Sequence, residues 1–247
     1  MEGRQPPAEE LRDAVRLLRG LLRGDLELGM DPPVLSHAGL ERLTTPPRGE
    51  GAGRGEAGAA RTLEELRGLL EDCRRCPLHE GRNRLVFGEG DARAELVFVG
   101  EGPGGEEDRA GRPFVGEAGR LLTRIISAMG LSRERVYICN VVKCRPPRNR
   151  DPGEAEIAAC RPFLQRQVDL IGPKVICTLG RVAGEELLGR GFAVTRDRGK
   201  WFEYRGVPVM PTFHPAYLLR NQAAKRPVWD DVQKIMKVLG LEGGRRG

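Results

Sequence analysis

Four short apolar runs set the rhythm of the second half of this chain: Leu96 to Val99, Val136 to Val142, Val175 to Leu179 and Val207 to Phe213. They are too short for helices and rich in β-branched residues, so they read as strands. Between them, apolar positions recur at helical spacing over Ala118 to Ala128, Pro152 to Leu170 and Val182 to Leu188, and a further helix is predicted at TLEELRGLLEDC from Thr62. Continuous apolar strands alternating with helices predict an α/β fold: a four-stranded parallel sheet flanked by helices on both faces. In such sheets ligands bind beyond the carboxyl ends of the strands. Glu101 follows the first run, Asn140 interrupts the second, Gly180 follows the third and His214 follows the fourth. These four are expected on one rim.

Upstream, Leu11, Val15, Leu18, Leu21 and Leu22 lie at helical spacing with charges elsewhere, which predicts an amphipathic helical extension over residues 1–24. Residues 25–61 are rich in Gly, Pro, Ala and Arg, with little apolar content, and are expected to be a flexible linker. The folded domain then spans 62–240, and 241–247 are expected to be a disordered tail.

Charge changes this picture little. Lys and Arg number 41 against 35 Asp and Glu, a net +6 that permits nucleic-acid binding without demonstrating it. No apolar stretch approaches the ~18 residues of a membrane span, and the N-terminus lacks the apolar heart of a signal peptide. A soluble, cytoplasmic protein is expected.

The densest chemistry lies in GEGPGGEEDRAGRPFVGEAG, Gly100 to Gly119, directly after the first strand. Glycines suggest close approach of backbone to a ligand. A Walker loop would need Gly-Lys-Ser/Thr, and a dinucleotide loop G-x-G-x-x-G opening a helix. Here Glu106, Glu107 and Asp108 follow instead and would repel a phosphate. Those three carboxylates are expected to serve as helix-start or loop-ordering charges. A neutral or cationic ligand is expected.

Six cysteines occur, at 73, 76, 139, 144, 160 and 177. Cys139 and Cys177 sit inside apolar strands and read as small hydrophobes. Cys73 and Cys76 form a CxxC, with Cys144 after a strand and Cys160 in a helix. Four thiolates suit zinc or an iron–sulfur cluster, and spacing does not choose.

GEGPGGEEDRAGRPFVGEAGRLL, VYICNVVKCRPPRNR, KVICTLG and FHPAYLLRN, in this order and with this cysteine arrangement, resemble the family 4 uracil-DNA glycosylases, the iron–sulfur-containing prokaryotic branch. The resemblance covers about residues 62 to 240. It implies a three-layer sandwich, a [4Fe–4S] cluster on Cys73, Cys76, Cys144 and Cys160, and hydrolytic removal of uracil from single- or double-stranded DNA, initiating base excision repair. It implies that backbone at Gly100 and Gly102 closes on the substrate, that Phe114 stacks on a flipped base and that Asn140 pairs with the uracil edge. It places His214 near uracil O2. Glu101 is expected to activate or orient water. Leu218, Leu219 and Arg220 look like a loop that enters the duplex. Arg145, Arg148 and Arg150 are candidate phosphate contacts. A monomer is expected, with residues 1–60 available to a repair or replication partner. A covalent uracil-DNA-binding relative of this family carries a basic loop ending in histidine after the Asn strand, and RPPRNRDP has none. A non-catalytic iron–sulfur DNA-binding module is the other alternative, disfavoured by Glu101, Asn140 and His214 together.

Overall fold

In the computed structural model of the protein, residues 50–241 are described, except 190. The predicted helix over 1–24, linker residues 25–49 and tail residues 242–247 lie outside them. In chain order the strands are β1 (Glu89–Gly90), β2 (Leu96–Gly100), β3 (Tyr137–Asn140), β4 (Val175–Leu179), β5 (Phe202–Tyr204) and β6 (Val207–Thr212). The helices are α1 (Glu50–Ala59), α2 (Leu63–Gly68), α3 (Leu78–Gly81), α4 (Gly105–Ala110), α5 (Glu117–Ala128), α6 (Glu154–Ile171), α7 (Arg181–Leu188), α8 (Val194–Asp197), α9 (Pro215–Arg220) and α10 (Lys225–Val238).

The sheet runs β1-β3-β2-β4-β6-β5. Its inner four strands are parallel, as the apolar runs predict, and an antiparallel strand is added at each edge. The sheet is therefore mixed and six-stranded, not four-stranded. The extra edge strands are short and half exposed, so they carry little apolar signal. One had a signature nonetheless: Arg205 and Gly206, with φ of 52° and 81°, join β5 to β6 through a tight turn with two left-handed residues.

Strands β2, β3 and β4 are buried along their whole length because helices cover both faces. Alternation divides their side chains. Val97, Val99, Tyr137, Cys139 and Ile176 pack with Leu63 and Leu66 of α2 and Phe163, Leu164 and Val168 of α6. Leu96, Phe98, Ile138, Cys177 and Met210 pack with Leu121, Leu122 and Ile126 of α5 and Val228, Val232 and Ile235 of α10. The helix predicted from Thr62 is shorter than its pattern: Thr62 caps it, with Oγ1 accepting from the Glu65 amide at 3.1 Å, and α2 stops at Gly68.

The linker reading fails at its C-terminal end. Residues 50–59 form α1, so the packed domain includes residues before Thr62. Ala57 is 1% exposed and Ala60 is buried beside it. Arg166 of α6 donates twice to the Ala60 carbonyl, at 2.9 and 2.6 Å, and Glu56 pairs with Arg75. Small side chains, which made the segment look too polar to fold, are what let α1 lie close against α6. Among the described residues no helix is long and apolar enough to cross a membrane.

If α1 is a packed element, Ala57→Leu should overfill its contact and destabilise the protein by ~1–3 kcal/mol. Thermal unfolding reads this directly; an unchanged melting temperature would return the segment to linker status.

Candidate active site

The parallel register sets Gly100 beside Asn140, and Leu179 beside Thr212. The four strand ends therefore open on one side, where a cleft of about 760 Å³ is lined by Glu101, Gly102, Phe114, Asn140 and His214 among others. The predicted rim residues Glu101, Asn140 and His214 meet in it.

Asn140 lines the cleft, 1% exposed, and its Oδ1 has no hydrogen-bond partner among the described residues. An unpaired buried acceptor costs ~1–3 kcal/mol, so the fold leaves it waiting for a donor. A Cβ on Gly100 would lie 2.5 Å from that oxygen and 2.5 Å from Phe114 Cζ. Glycine is required here by contact with the site itself.

Phe114 is buried in a left-handed backbone conformation, φ 51°, which costs ~1–3 kcal/mol for a residue with a side chain. Three groups hold it there. Arg133 donates to the carbonyls of Phe114 and Pro113 at 3.0 and 2.7 Å, and also pairs with Glu89. Glu107 accepts from the amides of Val115 and Gly116 at 2.9 and 2.8 Å. Gly119 lets α5 approach so closely that a Cβ would lie 1.9 Å from the Phe114 carbonyl oxygen. The Phe114 ring thereby stands 5.6 Å from the His214 ring. The loop-ordering reading of the acidic run describes Glu107 and also Asp108, which is buried and accepts from the Asn83 amide at 2.8 Å.

His214 leads into α9, and its Nδ1 accepts from the Ala216 amide at 3.1 Å. The remaining proton must then sit on Nε2. Burial lowers its pKa to about 4, against an opposing pull from Glu107, so the ring is a neutral donor at pH 7. The strand before it is tied down by buried Asp231, which accepts from Thr212 Oγ1 at 2.6 Å and from Arg198 Nε at 3.0 Å.

Glu101 is half-buried without a hydrogen bond to its carboxylate among the described residues. Burial raises its pKa to about 7, Asp151 adding to the rise and Arg181 opposing it. A carboxyl poised there can take up a proton near neutral pH.

The duplex-entering loop divides. Leu218 is 1% exposed in the core beside α5, so it is not free to act as a wedge. Tyr217 is 40% exposed and its ring lies tilted against that of Phe213, 4.9 Å between centroids; with Leu219 and Arg220 it lines the cleft. Helical spacing explains the exchange, since successive residues of α9 project about 100° apart and cannot share one face. Arg148 is exposed and without a side-chain partner among the described residues. Arg150 lines the cleft but is engaged by Glu156 at 2.8 and 2.7 Å, and Arg145 donates to Asn149 at 2.8 Å. Sequence reasoning missed Tyr217, Arg133 and Asp231; only Tyr217, inside FHPAYLLRN, carried a local signal.

On the other side of the sheet, Cys144 and Cys160 are buried in the α6-facing core, and Cys73 and Cys76 pack partly buried against it. Arg82 Nη1 donates to Cys144 Sγ at 3.3 Å and Arg75 Nη1 to Cys73 Sγ at 3.2 Å. Burial first, then Cys73 and Glu156, raises Cys76; burial pushes Cys160 up to about 12, with Cys76 and Cys144 adding to it. The four cysteines thus belong to one region of the core, and among the described residues no three His, Cys, Asp or Glu side chains stand placed to hold one metal ion.

A profile of the uracil DNA glycosylase superfamily matches residues 87–233. The chain belongs to this superfamily. A type-4 uracil-DNA glycosylase of Thermotoga maritima is 47% identical over 190 residues, covering 74% of this chain and 99% of the relative. One from Sulfurisphaera tokodaii is 46% identical, over 72% of this chain and 84% of the relative. A type-5 uracil-DNA glycosylase of Pyrobaculum aerophilum is 30% identical, over 64% and 77%. The superfamily match contains the cleft residues, and the two type-4 relatives align over most of the domain.

The electrostatics of Glu101 are directly testable by carboxyl-selective NMR titration. Its midpoint should fall near 7, and Asp151→Asn should move it down, because that variant removes a negative neighbour and frees Arg181. An upward shift would reverse the assigned causes.

Proposed function

We propose that this chain is a type-4 uracil-DNA glycosylase that hydrolyses the bond between uracil and deoxyribose and so starts base excision repair. The observation that carries the reading is the buried Oδ1 of Asn140, unpartnered among the described residues, in a residue that lines the cleft with Phe114. Uracil N3–H supplies the donor this oxygen lacks, and Asn140 Nδ2 donates to O4. Cytosine presents an acceptor at N3 and a donor at C4, the wrong group at both places.

A base can reach Asn140 only when flipped from the stack, with Phe114 as the stacking platform and the backbone of Gly100 and Gly102 leaving room for it. When the C1′–N1 bond breaks, the electron pair leaves with uracil, and the neutral Nε2–H of His214 stabilises the charge developing at O2. Water attacks C1′; Glu101, in its carboxylate form, takes the proton and offsets the cationic sugar. Arg220 and Arg148 contact phosphates, Leu219 and Tyr217 meet the opened duplex, and Arg150 contributes once released from Glu156.

Cys73, Cys76, Cys144 and Cys160 hold a [4Fe–4S] cluster in this reading. The donor set fits: it is all-thiol and fed by N–H···S bonds from Arg75 and Arg82, as thiolates that hold an iron–sulfur cluster are. The cluster ties the CxxC segment to α6 and to the loop after β3. The protein acts in the cytoplasm as a monomer and engages a repair or replication partner through residues 1–49, since 50–60 are packed into the domain.

Multiple-turnover release of uracil from single- and double-stranded oligonucleotides tests the activity; a stable adduct or binding without release would overturn it. His214→Ala should lower the saturated single-turnover rate by ~10²–10³ with affinity nearly unchanged. Asn140→Asp, whose ionised acid cannot donate to O4, should lose uracil excision with little change in melting temperature. The wild-type rate should rise with pH through about 7 as Glu101 ionises, and Glu101→Gln should abolish that rise. Anaerobically purified protein should be brown with ~4 irons per chain; a colourless protein with one zinc would refute the cluster.

A further inference from the structure

Lys143 is wholly buried, 0% exposed, directly between the cleft strand and the cysteine segments. Its Nζ donates to the Asn140 carbonyl at 2.7 Å and to Gln167 Oε1 at 2.6 Å. Gln167, also wholly buried, donates in turn to the Phe87 carbonyl at 2.9 Å and to the Tyr137 hydroxyl at 3.2 Å. Both acceptors of the ammonium are neutral. No carboxylate among the described residues pairs with it, although a buried cation is ordinarily paired. Burial lowers its pKa, and the ionisable groups that pull it back up are thiols: Cys139 of β3 and Cys160 of α6, whose sulfur also accepts from the Lys143 amide. The next residue is Cys144.

We propose that Lys143 is a positioning residue that couples the four-cysteine site to the base-reading strand end, bracing Asn140 from behind and taking its counter-charge from the thiolates across the sheet. The inference rests on the reading of those cysteines as cluster ligands and of Asn140 as the uracil contact. A cluster bound by four thiolates is net negative, which supplies the anion the fold otherwise withholds from this lysine. The brace acts on the backbone of Asn140, the residue whose side chain must meet uracil within a few tenths of an ångström. Outer groups of this kind cost ~10–100-fold in function when removed, because small misplacements of a reacting group are amplified.

The test uses full-length, iron-loaded Lys143→Met and Gln167→Met. Iron content and visible absorption report the cluster, its midpoint potential reports the charge, and uracil-DNA affinity with the saturated single-turnover rate reports Asn140. Both variants should excise uracil ~10–100-fold more slowly at saturation while retaining iron. Only Lys143→Met should move the potential to more negative values, since it alone removes a positive charge that favours the reduced cluster. A purely structural lysine would lower the melting temperature without that selective shift. Iron-loaded Lys143→Met with a wild-type saturated rate would overturn the brace, and an unchanged potential would overturn the counter-charge. If Lys143→Met does not fold, Gln167→Met decides the brace alone: a normal rate sinks it. Iron-free but active wild-type protein would instead refute the cluster reading and this coupling with it, leaving the glycosylase assignment intact.

Discussion

The site depends on a buried amide that the protein declines to satisfy. Asn140 ends β3 beside Gly100 of β2, and the absence of a Cβ on Gly100 leaves space for the Asn140 oxygen and the Phe114 ring together. Burying an unpaired acceptor is unfavourable, and a left-handed phenylalanine adds to that cost. Such costs persist only where surrounding structure over-determines the geometry. Arg133, Glu107 and Gly119 supply that determination from three directions.

The electrostatics follow from the same depth. Burial keeps His214 neutral and, with the Ala216 amide on Nδ1, leaves its one proton on Nε2. The same burial lifts Glu101 toward neutrality. One environment thus yields a neutral donor and a carboxyl that can exchange a proton near pH 7, from groups whose ordinary pKa values differ by about two units.

The sheet separates two kinds of chemistry. The cleft groups gather at the carboxyl ends of the parallel strands. Cys73, Cys76, Cys139, Cys144 and Cys160 lie on the α2 and α6 side, and Cys177 on the other. Strand alternation makes this separation automatic, since Asn140 and Cys139 are neighbours in sequence and point to opposite faces. Lys143 joins the two regions: its Nζ donates to the Asn140 carbonyl and to Gln167 of α6, and its amide donates to the Cys160 sulfur.

The parallel core, its helical layers and the residues at the strand ends were legible in the sequence, because apolar periodicity reports burial directly and strand ends are where such sheets bind ligands. So was the loop-ordering role of the acidic run. The edge strands and α1 were not legible: half-exposed strands and a helix packed through alanine bury too little apolar surface to leave a pattern. Nor could sequence say which of Tyr217, Leu218 and Leu219 faces the cleft, for that depends on the phase of α9 against α5. Arg133, Asp231 and Lys143 act through partners 19, 19 and 24 residues away or across the sheet. Local sequence names the chemical groups, but only the tertiary structure decides which of them are aimed, braced and neutral, because those properties arise from distant neighbours and from the exclusion of water.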